Sequence, residues 1–227
     1  MTFLPYFKYF IFIGINWNFR LAFFTIYHEI KGENKYHTHT IEIDRLKRLS
    51  VKGENKKHAS IYQAANYFLL EKAFTYLQEI QSNGAFVDFG SGKGRVMAVA
   101  AHYGFTKITG IDFAPSLCLQ ATENIKRIQP LFPDTEFLIN CDDAINYPIQ
   151  KEDSVFFFFN PFDEIIMLEV VKNILKSLKE NPREIQVIYI NPLYKEIFLS
   201  AGFIEEYYLM KMDYLELSIL SFLMDED

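Results

Sequence analysis

From Ile61 the apolar residues Ile61, Ala64, Ala65, Phe68, Leu69, Ala73, Tyr76, Leu77 and Ile80 recur at intervals of three and four, the single face of an amphipathic helix. Ser60 is placed to cap that helix and Gly84 to end its exit loop. Strand and helix patterns then alternate. Ala85 to Phe89, Lys107 to Phe113 and Thr135 to Ile139 read as strands, with helices over Lys93 to Tyr103 and Ser116 to Ile128. Asp153 to Phe159 is a nearly unbroken apolar run, as expected of a central strand covered on both faces, and a helix follows over Glu164 to Leu178. Glu184 to Ile190 is a fifth strand, and Leu193 to Ala201 a helix ended by Gly202. Phe203 to Met210 and Tyr214 to Leu223, linked by Met212-Asp213, read as two closing strands that pair antiparallel. Such alternation specifies an α/β fold, a mostly parallel sheet with helices on both faces.

The start of the chain is a different kind of sequence. Of 38 aromatic residues eleven fall in Met1 to Ile30, where even spreading gives about five. Lys31 to His58 then holds eight Lys or Arg against four acids, although the whole chain carries a net charge of -6. With Gly53-Glu54-Asn55 as punctuation, two parts are expected: residues 1–58, an aromatic-rich helical cap with a basic linker, and a core domain over 59–227. Tyr9 to Phe19 is uncharged but spans only eleven residues, short of the roughly 20 that cross a bilayer. No cationic start or small-residue cleavage site marks a signal peptide. The segment is either a cap packed on the core, the preferred reading because apolar surface is usually buried, or an aromatic helix lying in a membrane interface.

Composition narrows the function. Half of the 227 residues are apolar and 23% charged, which suits one globular domain with a small appendage. The acidic balance carries no strong nucleic-acid signal. Cys118 and Cys141 are too few and too far apart for a disulfide framework, which points to a reducing, cytoplasmic setting. His37-Thr38-His39 lacks a third ligand in register, so no metal is expected.

In a parallel sheet, ligands bind beyond the carboxyl ends of the strands. The first such end reads Val87-Asp88-Phe89-Gly90-Ser91-Gly92-Lys93-Gly94-Arg95. Its glycines admit positive φ and close backbone approach at a helix N-terminus. A nicotinamide dinucleotide fingerprint wants its third glycine at 95, where Arg95 stands, and Asp88 would repel a pyrophosphate.

The motif resembles instead the D-x-G-x-G-x-G of the class I, Rossmann-like methyltransferases that use S-adenosylmethionine. That resemblance implies a seven-stranded sheet whose last strand is antiparallel. It implies that Gly90, Ser91, Gly92 and Gly94 wrap the methionine end of the cofactor, with Asp88 near its ammonium group and sulfonium. At the second strand end Asp112 would accept the ribose hydroxyls and Phe113 lie against adenine. At the third, Asp143, with Asp142 as its neighbour, would accept from the adenine amino group. Asn160-Pro161-Phe162 resembles the (Asp/Asn)-Pro-Pro-(Tyr/Phe) motif of methyltransferases acting on amino nitrogen, with one Pro in place of two. The alternative at that strand end is a helix cap by Asn160 or Asp163. Asn191-Pro192 reads as a capped turn.

The implied function is S-adenosylmethionine-dependent methylation of a nitrogen on a protein lysine or a small amine. Three rivals remain: a nicotinamide oxidoreductase, weakened by Arg95; an aminopropyl transferase, weakened by the lack of a diacid at the fourth strand end; and a membrane-associated protein that binds S-adenosylmethionine without catalysis.

Overall fold

Residues 4–41, 64–82 and 84–223 are described by the computed structural model. Two helices, α1 (Leu4–Asn16) and α2 (Phe19–Tyr36), precede α3 (Tyr67–Glu79). Strands and helices then alternate as β1 (Ala85–Phe89), α4 (Arg95–His102), β2 (Lys107–Ile111), α5 (Pro115–Ile128), β3 (Glu136–Asn140), β4 (Asp153–Phe158), α6 (Glu164–Glu180), β5 (Ile185–Ile190), α7 (Lys195–Ser200), β6 (Ile204–Lys211) and β7 (Leu215–Phe222). The seven strands form one sheet in the order β3-β2-β1-β4-β5-β7-β6. Neighbours from β3 to β5 pair in parallel, and β7 runs antiparallel to both β5 and β6. The expected α/β sheet with an antiparallel last strand is therefore present.

The apolar run of β4 has a direct structural reason. Val155 and Phe157 enter a core cluster with α3 and α4 on one face, whereas Phe156 and Phe158 enter a second cluster with α6 and α7 on the other. Alternate residues of a strand point to opposite faces, so a strand covered on both must be apolar throughout. The link between the closing strands is a tight turn: Met212 and Asp213 both have positive φ, 55° and 61°, and Tyr214 N donates to Lys211 O at 3.3 Å. Left-handed backbone at both central positions matches the twist of the flanking strands.

Most element ends fall within two residues of expectation, and the largest difference is at the start of α3. The helix expected from Ile61 begins at Tyr67, because Asn66 is extended and its Oδ1 accepts from Phe68 N at 2.9 Å, the geometry of an N-cap. Ala64 and Ala65 thus precede the helix, and Ser60 and Ile61 lie outside the described residues. At the N-terminus, Asn18 caps α2 by accepting from Leu21 N at 2.8 Å. The buried stripe of α2 faces α3 closely: a Cβ on Gly32 would fall 2.1 Å from the Tyr67 ring.

Candidate active site

At the carboxyl end of β1 the backbone turns through Gly90, Gly92 and Gly94, with φ of +79°, +53° and +76°, and enters α4 at Arg95. Gly90 N and Ser91 N both donate to Ile111 O, at 2.8 and 2.9 Å, which pins this loop to the end of β2. Gly90 is obligatory for a second reason, since a Cβ there would lie 2.3 Å from Pro161 Cβ. Pro161 therefore sits against the glycine loop and brings the first and fourth strand ends together.

Asp88 lies within β1, flanked by Gly110 of β2 and Phe157 of β4. It is 1% exposed, and neither carboxylate oxygen has a hydrogen-bond partner among the described residues. Burial, reinforced by the nearby Asp112 carboxylate, pushes the Asp88 carboxyl well above the usual range. The Ser91 hydroxyl beside it is likewise buried without a partner among the described residues.

Asp112, just after β2, holds the loop from the other side. Its Oδ2 accepts from Gly92 N and its Oδ1 from Ala114 N, both at 2.9 Å. Burial pushes its carboxyl up to about 6 in spite of those two donors. Each oxygen keeps a further lone pair. Phe113 is half-buried beside it. After β3, Asp143 Oδ1 accepts from Ile145 N at 3.2 Å and caps the single turn Ala144–Asn146. Asp142 Oδ1 accepts from Asp143 N at 2.7 Å and from Asn146 Nδ2 at 3.1 Å.

Beyond β4, Asn160 has φ +40° and its side chain bridges to the end of β5. Its Oδ1 accepts from the Tyr189 hydroxyl at 2.9 Å, and its Nδ2 donates to Asn191 O. The cap of α6 is Asp163, whose Oδ1 accepts from Ile165 N at 3.1 Å and Ile166 N at 3.4 Å. Phe162 packs into the core with Phe158 and Ile166. Asn191, read as a capped turn, does something different: its Oδ1 accepts from Glu216 N at 3.0 Å and ties β5 to β7. The next helix starts only at Lys195, too far on for Asn191 to cap it.

These strand ends adjoin a cavity of about 180 Å³ between the α1–α2 hairpin, α3 and the sheet, whose walls include Tyr9, Trp17, Asn66, Phe159, Asn191 and Tyr214. The Asn66 side chain is buried; its oxygen is fixed by the cap of α3, and its Nδ2 has no partner among the described residues.

Sequence reasoning used Arg95 only against the dinucleotide reading, and here it missed the most connected side chain near the loop. Arg95 Nη1 donates to Glu29 Oε1 at 3.0 Å and to Ala65 O at 2.8 Å, and Nη2 lies 2.7 Å from Glu29 Oε2. Its Nε donates to Thr40 Oγ1 at 2.6 Å, and the guanidinium stands 4.2 Å from the centre of the Tyr67 ring. Glu33 completes the cluster, accepting from Tyr6 Oη at 2.8 Å and from Ile41 N at 2.9 Å. Burial pushes the Glu29 carboxyl up against the pull of Arg95. The signal was legible: Glu29 and Glu33 are four apart on one face of an otherwise apolar stripe, and one cation heads an apolar helix.

No protein-family model matches the chain, and no curated protein matches it. Solved structures do. A candidate RNA methyltransferase from Pyrococcus horikoshii superposes with a TM-score of 0.55 at 13% identity, covering 80% of this chain and 94% of that one. The ribosomal protein L11 methylase of Lactobacillus delbrueckii subsp. bulgaricus gives 0.51 at 15%, covering 78% and 97%. A candidate methyltransferase from Escherichia coli gives 0.53 at 11%, covering 81% and 100%.

Proposed function

We propose that this chain, which has the fold of the class I S-adenosylmethionine-dependent methyltransferases, is itself such a methyltransferase and acts on a nitrogen of a protein or small molecule. The observation that carries the reading is Asp88: a carboxylate 1% exposed, unpartnered among the described residues, at the root of a glycine loop. A buried acid without a donor is costly, and a ligand bearing an ammonium group removes that cost. A pyrophosphate would raise it. The residues present therefore fit the zwitterionic end of S-adenosylmethionine, and the charge of Asp88 speaks against a pyrophosphate in the same place.

In this reading Asp88 receives the ammonium group, while the backbone of Gly90, Ser91, Gly92 and Gly94 lets the ligand approach closely. Asp112 uses its remaining lone pairs for the ribose hydroxyls, Phe113 lies against adenine, and Asp143 or Asp142 receives the adenine amino group. When bound, the cofactor supplies an electrophilic methyl group on a sulfonium. The protein's part is to hold the acceptor in line and keep water out. Asn160 and Pro161 border the loop where that alignment is set, and Phe162 supports them from the core. The cavity receives the acceptor; its apolar walls favour the uncharged form of an amine and so help it to shed a proton. In this reading residues 1–58 are an N-terminal part distinct from a core domain of 59–227, and its described hairpin, α1 and α2, caps that cavity.

Melting in the presence of S-adenosylhomocysteine and of NAD tests the reading. Saturation at about 100 times the dissociation constant should add about 2.7 kcal/mol of stability with the first ligand and none with the second. A shift with NAD alone would overturn it. Transfer of labelled methyl groups to amine-bearing small molecules and to protein fractions then identifies the acceptor class.

A further inference from the structure

Among the described residues twenty large apolar side chains are exposed, and eight of them fall on or between α1 and α2. Leu4, Phe7, Ile15, Phe19, Phe23 and Tyr27 are each more than half exposed. They are not scattered. On α1 the exposed positions 4, 7, 8, 12 and 15 form one stripe, opposite the buried Tyr6 and Ile13. On α2 the exposed positions 20, 23, 27, 31 and 35 form another. Half-buried Phe10 stands 5.8 Å from Phe19 and 4.8 Å from Phe23, and exposed Phe12 5.9 Å from Trp17, centroid to centroid, so ring contacts join the two helices and the turn between them.

Charge on this face has a single sign. Lys8, Arg20, Lys31 and Lys35 are exposed, and the only acids of the two helices, Glu29 and Glu33, are buried in the Arg95 cluster. Lys35 is satisfied by Glu71 at 2.7 Å, which leaves Lys8, Arg20 and Lys31 as the cations spaced along the aromatic surface. No described helix is long and apolar enough to cross a membrane. Aromatic residues beside cations, on a helical face without exposed acids, have the composition of an element that lies in the plane of a bilayer.

We infer that the outer face of the α1–α2 hairpin docks on an anionic lipid bilayer. A second copy of the chain is the poorer occupant, because a two-fold contact through this face would set Lys8, Arg20 and Lys31 against their own copies. The bilayer takes the rings into its headgroup region while its surface charge pairs with the same cations. The inner face of the hairpin roofs the cavity, so docking sets that cavity beside the lipid surface.

The full chain carries one tryptophan, Trp17, on this hairpin, and its emission reports docking without a label. Titration with vesicles of phosphatidylcholine containing about 30% phosphatidylglycerol should shift that emission to the blue and carry the chain upward in flotation. Pure phosphatidylcholine should do neither, and raising salt to about 0.5 M should weaken binding. The triple variant Phe7→Gln, Ile15→Gln, Phe23→Gln should lose roughly tenfold or more in partitioning, with an unchanged melting temperature and unchanged S-adenosylhomocysteine affinity. Lys8→Gln with Arg20→Gln should remove the preference for anionic vesicles. Equal binding to neutral vesicles, no flotation of the full chain, or a dimer in solution that the triple variant dissociates would each overturn the inference.

Discussion

A single buried carboxylate sets the strongest pH dependence expected of the ligand-free protein. An unfolded Asp88 ionises near pH 4, whereas the folded one holds its proton to a much higher pH. Folding thus takes up a proton above about pH 4, and stability falls as pH rises, by up to about 1.4 kcal/mol per unit until the folded group ionises. Asp112 adds a slope of the same sign up to about pH 6. Asp88→Asn should flatten the dependence in urea unfolding followed from pH 5 to 8, and weaken S-adenosylhomocysteine binding at least roughly tenfold. A flatter profile with intact affinity would separate Asp88 from the ligand. Asn160→Ala takes away the acceptor of the Tyr189 hydroxyl and one of the two donors to the Asn191 carbonyl, which keeps Leu193 N, at a cost of about 1–3 kcal/mol. If the amide also orients the acceptor, methyl transfer should fall roughly 100-fold while product affinity stays within a few-fold. A destabilised variant with full turnover makes the bridge its whole role.

At the level of elements, the cation that opens α4 binds two acids of α2, so the glycine loop and the N-terminal hairpin are mechanically joined. Removing one partner of a buried ion pair leaves the other uncompensated, and Glu29→Leu or Arg95→Leu should each cost about 3–5 kcal/mol. The double variant should recover part of that loss, and each single change should also weaken S-adenosylhomocysteine binding through the loop; equilibrium unfolding and calorimetry on the same preparations measure both. Additive losses in the double variant would argue against coupling. How much of this was legible follows from the kind of signal involved. The strands and helices from Ala85 to Phe222 appear in the sequence because burial imposes periods of two and about 3.6 on apolar residues, and the glycine loop because positive φ restricts residue type. The start of α3 was not legible from periodicity, since Ala64 and Ala65 keep the helical spacing while the Asn66 cap overrides it. Nor was the side-chain bridge from Asn160 to Tyr189, a contact across 29 positions that no local pattern encodes.

For the molecule as a whole, the hairpin is apolar on its outer face and carries a charge cluster on its inner one. Deleting residues 1–41 would uncover Tyr67 and Leu69 and leave Arg95 without its acids. Light scattering should find the truncated chain aggregated; a monomer with an unchanged melting temperature would mean that the hairpin is not a cap. The order of the strands has a consequence for how the chain is made. β7 is the last strand in sequence yet lies inside the sheet, between β5 and β6. During synthesis the outer edge of β5 therefore waits, with its backbone amides and carbonyls open, until Phe222 has emerged, about 2 to 6 s after Ile190 at roughly 5–20 residues per second. An open strand edge beside a finished parallel half-sheet is a template for pairing with another nascent chain. Yield from the ribosome should accordingly respond to codon speed over residues 191–222 more than to any stretch before it.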